Sequence, residues 1–227
     1  MEKSNLSLDI FDTLKKRIIK WEYLPGQRLT EESLCSEFGV SRVPVREALR
    51  MLEDNRLVDK IPYRGCTVKQ PNLQEINDLY DVRLALELFV VEQLARQGMP
   101  PLVAQALRQI WESLLATDQP AEVDVFSLAR QDEGFHETLA QATGNRLLAE
   151  QLHLINERLY FTRLADITTI ERMQDTCRQH LHILAHIGAG DVPTARAAIQ
   201  TNIEFGRKNV EHALKDALTR AYMSNME

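Results

Sequence analysis

Cysteine is scarce and scattered in this chain. Cys35, Cys66 and Cys177 are its only thiols, and they lie far apart with no CxxC pair, so the fold is expected to need no disulfide staples and to reside in a reducing compartment. No charged-then-apolar leader resembles a signal peptide. No apolar run approaches the roughly 18 residues that a membrane span needs. A soluble, cytoplasmic protein with no membrane partner is therefore expected. Internal repeats and low-complexity segments are absent, as is an HExxH or comparable hydrolase motif. What remains is 227 residues with 44% hydrophobic content, enough for one large domain or two modest ones with a real core.

The net charge of −6 hides an asymmetry. Residues 1–70 hold 13 Lys+Arg against 11 Asp+Glu, a balance of +2, whereas residues 71–227 hold 14 against 22, a balance of −8. An acidic body repels phosphates, so any contact with DNA has to be concentrated in the N-terminal third.

That third reads as three short helices and a hairpin. In "LDIFDTLKKRIIKW" (8–21), Ile10, Leu14, Ile18 and Trp21 share one helical face. A Pro25-Gly26 turn follows. Thr30 can cap a second helix carrying Leu34 and Phe38, and Gly39 is a natural stop. Ser41 opens a third helix with Pro44 in its first turn. There Val45, Ala48, Leu49 and Leu52 form the inward stripe, and Val43, Arg46, Glu47 and Arg50 turn outward. "LVDKIPYRGCTVKQP" then predicts two short strands, about 57–61 and 66–69, joined by a turn at Tyr63, Arg64 and Gly65.

Together these elements predict a winged helix-turn-helix. Its third helix would enter the major groove N-terminus first, where arginine reads guanine edges and the helix end binds phosphate. The plainer reading is that Arg42, Arg46 and Arg50 form a solvated face paired with Glu47, Glu53 and Asp54. The flanking Gly-turned helix pair and basic hairpin tip favour DNA. "LTEESLCSEFGVSRVPVREALRMLEDNRLV…YRGCTV" also resembles the winged-helix signature of GntR-type bacterial transcription regulators. That resemblance implies that Arg42 and Arg46 make the base and phosphate contacts, with Ser41, Val43 and Pro44 at the helix tip and Arg64 and Gly65 as the wing; Arg50, which continues the arginine row, is expected to bind DNA beside them. Some relatives carry a further arginine ten residues before Arg42. Here that position is Glu32, so their operator sequence does not transfer.

A short linker (71–74) leads into a body (75–227) that is helical throughout. Breaks at 98–101, 118–120, 143–145, 166–169 and 188–191 divide it into six helices. The expected fold class is mainly α: a winged helix-turn-helix (1–70) followed by an all-α antiparallel helical bundle for effector binding and dimerisation.

The informative body residues are polar ones on apolar stripes. Asp132 and His136 lie among Val125, Leu128, Ala129, Phe135 and Leu139. His180 shares a face with Cys177, Leu181, Leu184 and Ile187. Asn202 sits among Ala195, Ala198, Ile199, Phe205 and Gly206, and Arg83 and Glu87 among Ile76, Leu79, Leu86, Val90 and Leu94. A carboxylate facing a core needs compensation. Three readings compete: a buried Asp-His hydrogen-bonded pair, a metal site for Zn²⁺ or a similar ion inside a bundle, and a metal-dependent hydrolase. His182 and His186 mimic a ligand pair but point away from the buried side, as a solvated face or part of a subunit contact.

"YDVRLALELFVVEQLA", "DEGFHETLAQATGN" and "HLHILAHIGAGDVPTARAAI" resemble the FCD effector domain of the FadR branch. The resemblance implies a divalent metal, Zn or Ni, held by Asp132, His136 and His180, with Asn202 where the family has a fourth histidine. It further implies a ligand-responsive repressor rather than an enzyme. Its partners would be a palindromic double-stranded operator, read as a homodimer, and a small organic-acid effector. Arg83, with Glu87 as its simpler partner, is the candidate for meeting the effector's carboxylate.

Overall fold

The computed structural model describes residues 2–20, 22–61, 65–70, 72–117, 124–164 and 169–224. The chain divides into two compact units: Met1–Asn72 together with His212–Glu227, and Leu73–Glu211.

The first unit contains α1 (Glu2–Ile19), β1 (Arg28–Leu29), α2 (Glu31–Phe38), α3 (Arg42–Asp54), β2 (Val58–Ile61) and β3 (Gly65–Val68). The helical spacing of Ile10, Leu14 and Ile18 buries all three, and α1 packs against α3. The facing stripe of α3 is the expected one, Val45, Ala48, Leu49 and Leu52. Each of the valine and leucine side chains contributes about 1.5–3 kcal/mol through burial. Thr30 Oγ1 accepts the Ser33 amide at 3.1 Å and starts α2. Gly39 ends it in the left-handed region at φ 65°, where a side chain is disfavoured. The chain can then turn within three residues into α3.

The two expected hairpin strands do pair antiparallel, with Val58 opposite Val68 and Ile61 opposite Gly65. The sheet nevertheless has three strands, in the order β1-β3-β2. Strand β1 is only two residues long, too short for alternation to show. It exists because the Pro25-Gly26 turn returns the chain beside β3, where Gly26 donates to the Val68 carbonyl at 3.0 Å and Val68 donates to that of Gln27 at 2.9 Å. Gly65 has φ 91°, and a Cβ there would lie 2.4 Å from the Leu29 carbonyl oxygen. Only glycine lets the wing come so close to β1.

Among the described residues the second unit contains six helices: α4 (Leu73–Gln97), α5 (Pro101–Leu115), α6 (Val125–Ala142), α7 (Arg146–Arg163), α8 (Ile170–Gly188) and α9 (Val192–Ser224), whose last residues fall in the first unit. Local chemistry sets their starts: Asp124, Asn145 and Thr169 each accept backbone amides of the helix that follows, satisfying donors that a helix start leaves open. Helix α4 packs against α6, α7 and α8, while α5 lies on α8 and α6 on α7. Trp111, Phe135, Leu139, Leu152, Leu159 and Ile183 fill the centre.

One apolar position differs from the sequence expectation. Phe205 is 37% exposed, and Ile203 takes the core position instead. The buried line of α9 runs through Ala195, Ile199, Asn202, Gly206 and Val210, a 3.6-residue rhythm from which position 205 departs. The ring lies beneath the Arg172 guanidinium, 4.7 Å from its centroid. Among the described residues no helix is long and apolar enough to cross a membrane.

Candidate functional site

Two sets of side chains stand out, one in each unit. In the first, Ser41 is an extended N-cap whose side chain makes no capping bond, so the leading amides of α3 remain available to an anion. Val43 is 70% exposed beside it, an unusual placement for valine. Pro44 is half-buried, as its place in the first turn allows. The arginines behave differently from one another. Arg42 is exposed and has no ion-pair partner among the described residues. Arg46 donates from Nε to Glu31 Oε1 of α2 at 2.8 Å. Arg50 is bracketed by Glu47 at 2.6 Å and Asp54 at 3.1 Å.

Occupation of Arg46 Nε leaves its two terminal amino groups as the outward fork, the geometry that matches O6 and N7 of guanine. Arg42, Arg46, Arg50 and Lys60 line one open groove, together with the acids Glu31, Glu32, Glu47 and Glu53. Arg64 lies outside the described residues, and Gly65 forms the first residue of β3.

In the second unit, α6 places Asp132 and His136 one turn apart on its buried face, and α8 brings His180 to them. One ligand atom from each lies within 4.8 Å of the others. His180 Nε2 is 3.4 Å and His136 Nε2 3.9 Å from Asp132 Oδ1. Among the described residues neither Nε2 has a hydrogen-bond partner, although both are buried.

The partners of these groups fix their chemical state. His136 donates Nδ1–H to Glu87 of α4, so its Nε2 carries the lone pair that faces Asp132. Glu87 also accepts from Arg83 Nε at 2.7 Å. Burial opposes ionisation of Glu87, but His136 and the Arg83 guanidinium bring its pKa down to about 2. Burial likewise works against an ionised Asp132, yet the Arg163 guanidinium, followed by His136 and His180, holds it well below the usual carboxylate range. For both imidazoles burial dominates and lowers the pKa, far below 6.5 for His180. Neutral imidazoles and an ionised carboxylate are the states in which these groups bind a cation.

A purely hydrogen-bonded Asp-His pair accounts poorly for this arrangement. His136 Nε2 and His180 Nε2 both face Asp132 Oδ1 without a hydrogen bond among the described residues, and an unsatisfied buried polar atom costs about 1–3 kcal/mol. A divalent cation satisfies all three. Asp, His and His from two helices are a fitting donor set for zinc or a neighbouring transition metal.

The other expected residues are buried but already engaged. Asn202 donates Nδ2 to Gln179 Oε1 at 2.8 Å, which leaves Oδ1 as its acceptor end. Arg83, besides bonding Glu87, lies 5.8 Å from the Tyr80 ring centroid, and its charge contributes to holding Asp132 ionised.

Sequence reasoning missed Arg163 and Asn156. Arg163 Nη1 bonds Asp132 Oδ2 at 2.8 Å, and Nη2 bonds Asn156 Oδ1 at 2.9 Å. The signal was present, since both residues fall on the α7 stripe of Leu148, Leu152, Ile155 and Leu159, all buried. They are polar residues on an apolar face, as Asp132 is on its own helix.

A winged helix-turn-helix that presents an arginine row, joined to a helical bundle with a buried carboxylate–imidazole cluster, defines the class of two-part DNA-binding transcription regulators. The chain belongs to the GntR family: residues 6–68 match the bacterial regulatory proteins of the gntR family, and residues 78–205 match the FCD domain. Members of this family are regulators and not enzymes, which sets the hydrolase reading aside.

The chain is 26% identical over 209 residues to the HTH-type transcriptional regulator YdhC of Bacillus subtilis, covering 92% of each. It is 34% identical over 142 residues to the gluconate operon transcriptional repressor of the same organism, covering 63% of this chain and 57% of that protein. Among solved structures, that of Listeria monocytogenes Lar shares the fold, with a TM-score of 0.61 at 18% identity over 91% of this chain and 96% of that one.

Proposed function

We propose that the protein is a ligand-responsive repressor that binds a palindromic operator as a homodimer and is released by a small carboxylate effector held in the FCD bundle. The observation that carries this reading is the convergence of His136 Nε2 and His180 Nε2, both buried and unpartnered among the described residues, on Asp132 Oδ1. A divalent metal, zinc or nickel, held by Asp132, His136 and His180 supplies a fixed positive charge that an effector carboxylate can meet. Asn202 Oδ1 serves as a weak fourth donor, and Arg83 as a second positive charge near the site. The likeness to a gluconate operon repressor supports an effector among small organic acids.

At the operator, Arg42 and Arg46 read base edges, Ser41 and the open amides of α3 hold phosphate, and Val43 packs on a thymine methyl. Arg50 tracks the backbone, and Arg64 and Gly65 form the wing. One reading helix covers too few base pairs for specificity. A dimer holding two of them about 34 Å apart reads a palindrome. Val82 and Phe89, 51% and 45% exposed and two turns apart on α4, offer an apolar face for that pairing.

The test is a thermal-shift screen of small carboxylates on chelator-treated protein, with and without added Zn²⁺ or Ni²⁺. A ligand that binds only the native state raises the midpoint by mass action. We expect a carboxylate that stabilises the metal-loaded protein alone and also weakens operator binding. By linkage, operator DNA must weaken that effector's binding by the same factor. Arg83→Ala should leave operator affinity near that of wild type while blunting the effector response. If metal leaves the melting unchanged and no carboxylate shifts it, the bundle is not this kind of sensor.

A further inference from the structure

The buried triad does not use every histidine that α8 carries. His182 and His186, one turn apart, face away from it: His182 is exposed and His186 partly so. Their Nε2 atoms stand 2.8 Å apart, with the rings nearly perpendicular at 86°. The two nitrogens therefore meet at one place on the helix surface.

The spacing is that of a shared cation. Two nitrogens at a zinc-like bonding distance of about 2.0–2.1 Å stand about 2.9 Å apart at a right angle and about 3.3 Å apart at the tetrahedral angle. A metal thus enters with a shift of a few tenths of an ångström at the end of one exposed side chain. No backbone has to move.

Asp191 bears on the tautomer of His186. Asp191, in the turn between α8 and α9, places Oδ2 3.5 Å from His186 Nδ1. Asp191 is itself positioned by the start of α9, where its Oδ1 accepts the Thr194 amide at 3.2 Å. A carboxylate facing Nδ1 favours the tautomer with the proton on that atom, which leaves the Nε2 lone pair free for a metal. This carboxylate–histidine relay orients metal-ligating imidazoles in general, and here it is fixed by the fold rather than by a flexible surface chain.

We propose that His182 and His186, with Asp191 orienting the latter, form a second metal site on the surface of the bundle, for a transition-metal dication of the copper, nickel or zinc type. Two imidazoles select such ions over magnesium and calcium, which prefer oxygen ligands. The remaining positions are open to water or to a donor from another molecule. Occupancy joins successive turns of α8 near its C-terminus, on the opposite side of the helix from His180. The site is independent of the buried triad, because the two share no ligand.

The competing explanation is a simple hydrogen bond between two neutral imidazoles on a solvated face. Calorimetric titration of Ni²⁺ into the full-length, untagged, chelator-treated protein distinguishes the two. We expect His182→Gln or His186→Gln to remove one binding event, or to weaken it at least tenfold, while circular dichroism shows an unchanged helix content. His180→Ala should leave that event in place, and Asp191→Asn, which keeps the cap on Thr194, should weaken it several-fold. Should the buried triad bind no nickel, wild type would show the surface event alone, still abolished by His182→Gln. A His182→Gln titration superimposable on that of wild type overturns the proposal, as does a wild-type protein whose nickel binding disappears entirely in His180→Ala.

Discussion

Arg163 donates from Nη1 to Oδ2 of Asp132 at 2.8 Å. The bond occupies one carboxylate oxygen and leaves the other, Oδ1, to His136 and His180. It also allows Asp132 to remain ionised within a core. Arg163 therefore both stabilises the cluster's anion and determines which of its oxygens is available to a metal.

Removing that guanidinium strands a buried carboxylate. Breaking a buried pair on one side costs about 3–5 kcal/mol, so Arg163→Met should lower the urea midpoint of the bundle by a corresponding amount in the absence of added metal. Saturating Zn²⁺ should restore part of the loss, because the cation compensates the same charge. A midpoint equal to that of wild type would show that Asp132 does not depend on Arg163.

Metal content gives a direct check on the triad. Protein purified without chelator or polyhistidine tag should carry close to one buried metal per chain, and His180→Ala or Asp132→Asn should remove it. Trp111 reports on the same event, because its ring centroid is 4.2 Å from that of His180. In a Trp21→Phe background, adding metal to the chelator-treated protein should change the Trp111 emission, and His180→Ala should abolish the change. Unaltered emission on loading, with metal retained by the His180 variant, would place the ion elsewhere.

For the reading helix, each bidentate base contact contributes roughly 1–3 kcal/mol. Arg46→Ala in both subunits should therefore weaken specific operator binding by at least tenfold at fixed salt, with the fold intact because the side chain is exposed. Glu31→Gln tests a separate point. It removes the charge that holds Arg46 Nε, so the fork is less well oriented, and discrimination between operator and mismatched sites should fall more than overall affinity does. Equal discrimination by mutant and wild type in a salt-controlled gel shift would reduce Glu31 to an ordinary surface ion pair.

The histidines should separate by pH. His153 Nδ1 lies 3.0 Å from Glu137 Oε1, and this bond raises its pKa above 6.5. A folded-state pKa raised in this way contributes stability that is fully present below about 6.5 and is lost as the pH rises through the folded value. His136 and His180 have the opposite sign. Burial lowers both below 6.5, so under acid conditions the unfolded chain takes up protons that the metal-free bundle does not, and stability falls as the pH drops below about 6.5. Imidazole NMR of chelator-treated protein should show His153 titrating above 6.5, returning toward it in Glu137→Gln, with His136 and His180 titrating below 6.5. Coincident titration of all three would contradict the buried geometry.

Much of this protein is determined by local sequence. The stripes Ile10-Leu14-Ile18 and Val45-Ala48-Leu49-Leu52, the stop at Gly39 and the turn into β3 at Gly65 are set by side-chain periodicity and by backbone angles that only certain residues tolerate. Those are short-range effects, and they are legible without a structure. Asp132, His136 and His180 could be singled out for the same reason, since a polar residue on an apolar stripe stands out within its own helix.

Tertiary packing decided the rest. Strand β1 has two residues and no pattern of its own, and it forms only because β3 supplies its hydrogen bonds. Whether Arg163 reaches Asp132, whether Glu87 takes the Nδ1 proton of His136, and whether Arg46 is held by Glu31 depend on residues 31, 49 and 15 positions apart in the chain being brought within hydrogen-bonding distance. Periodicity shows which face of a helix is buried. Which helix that face meets, and which polar atoms then lack a partner, follows only from how the helices pack.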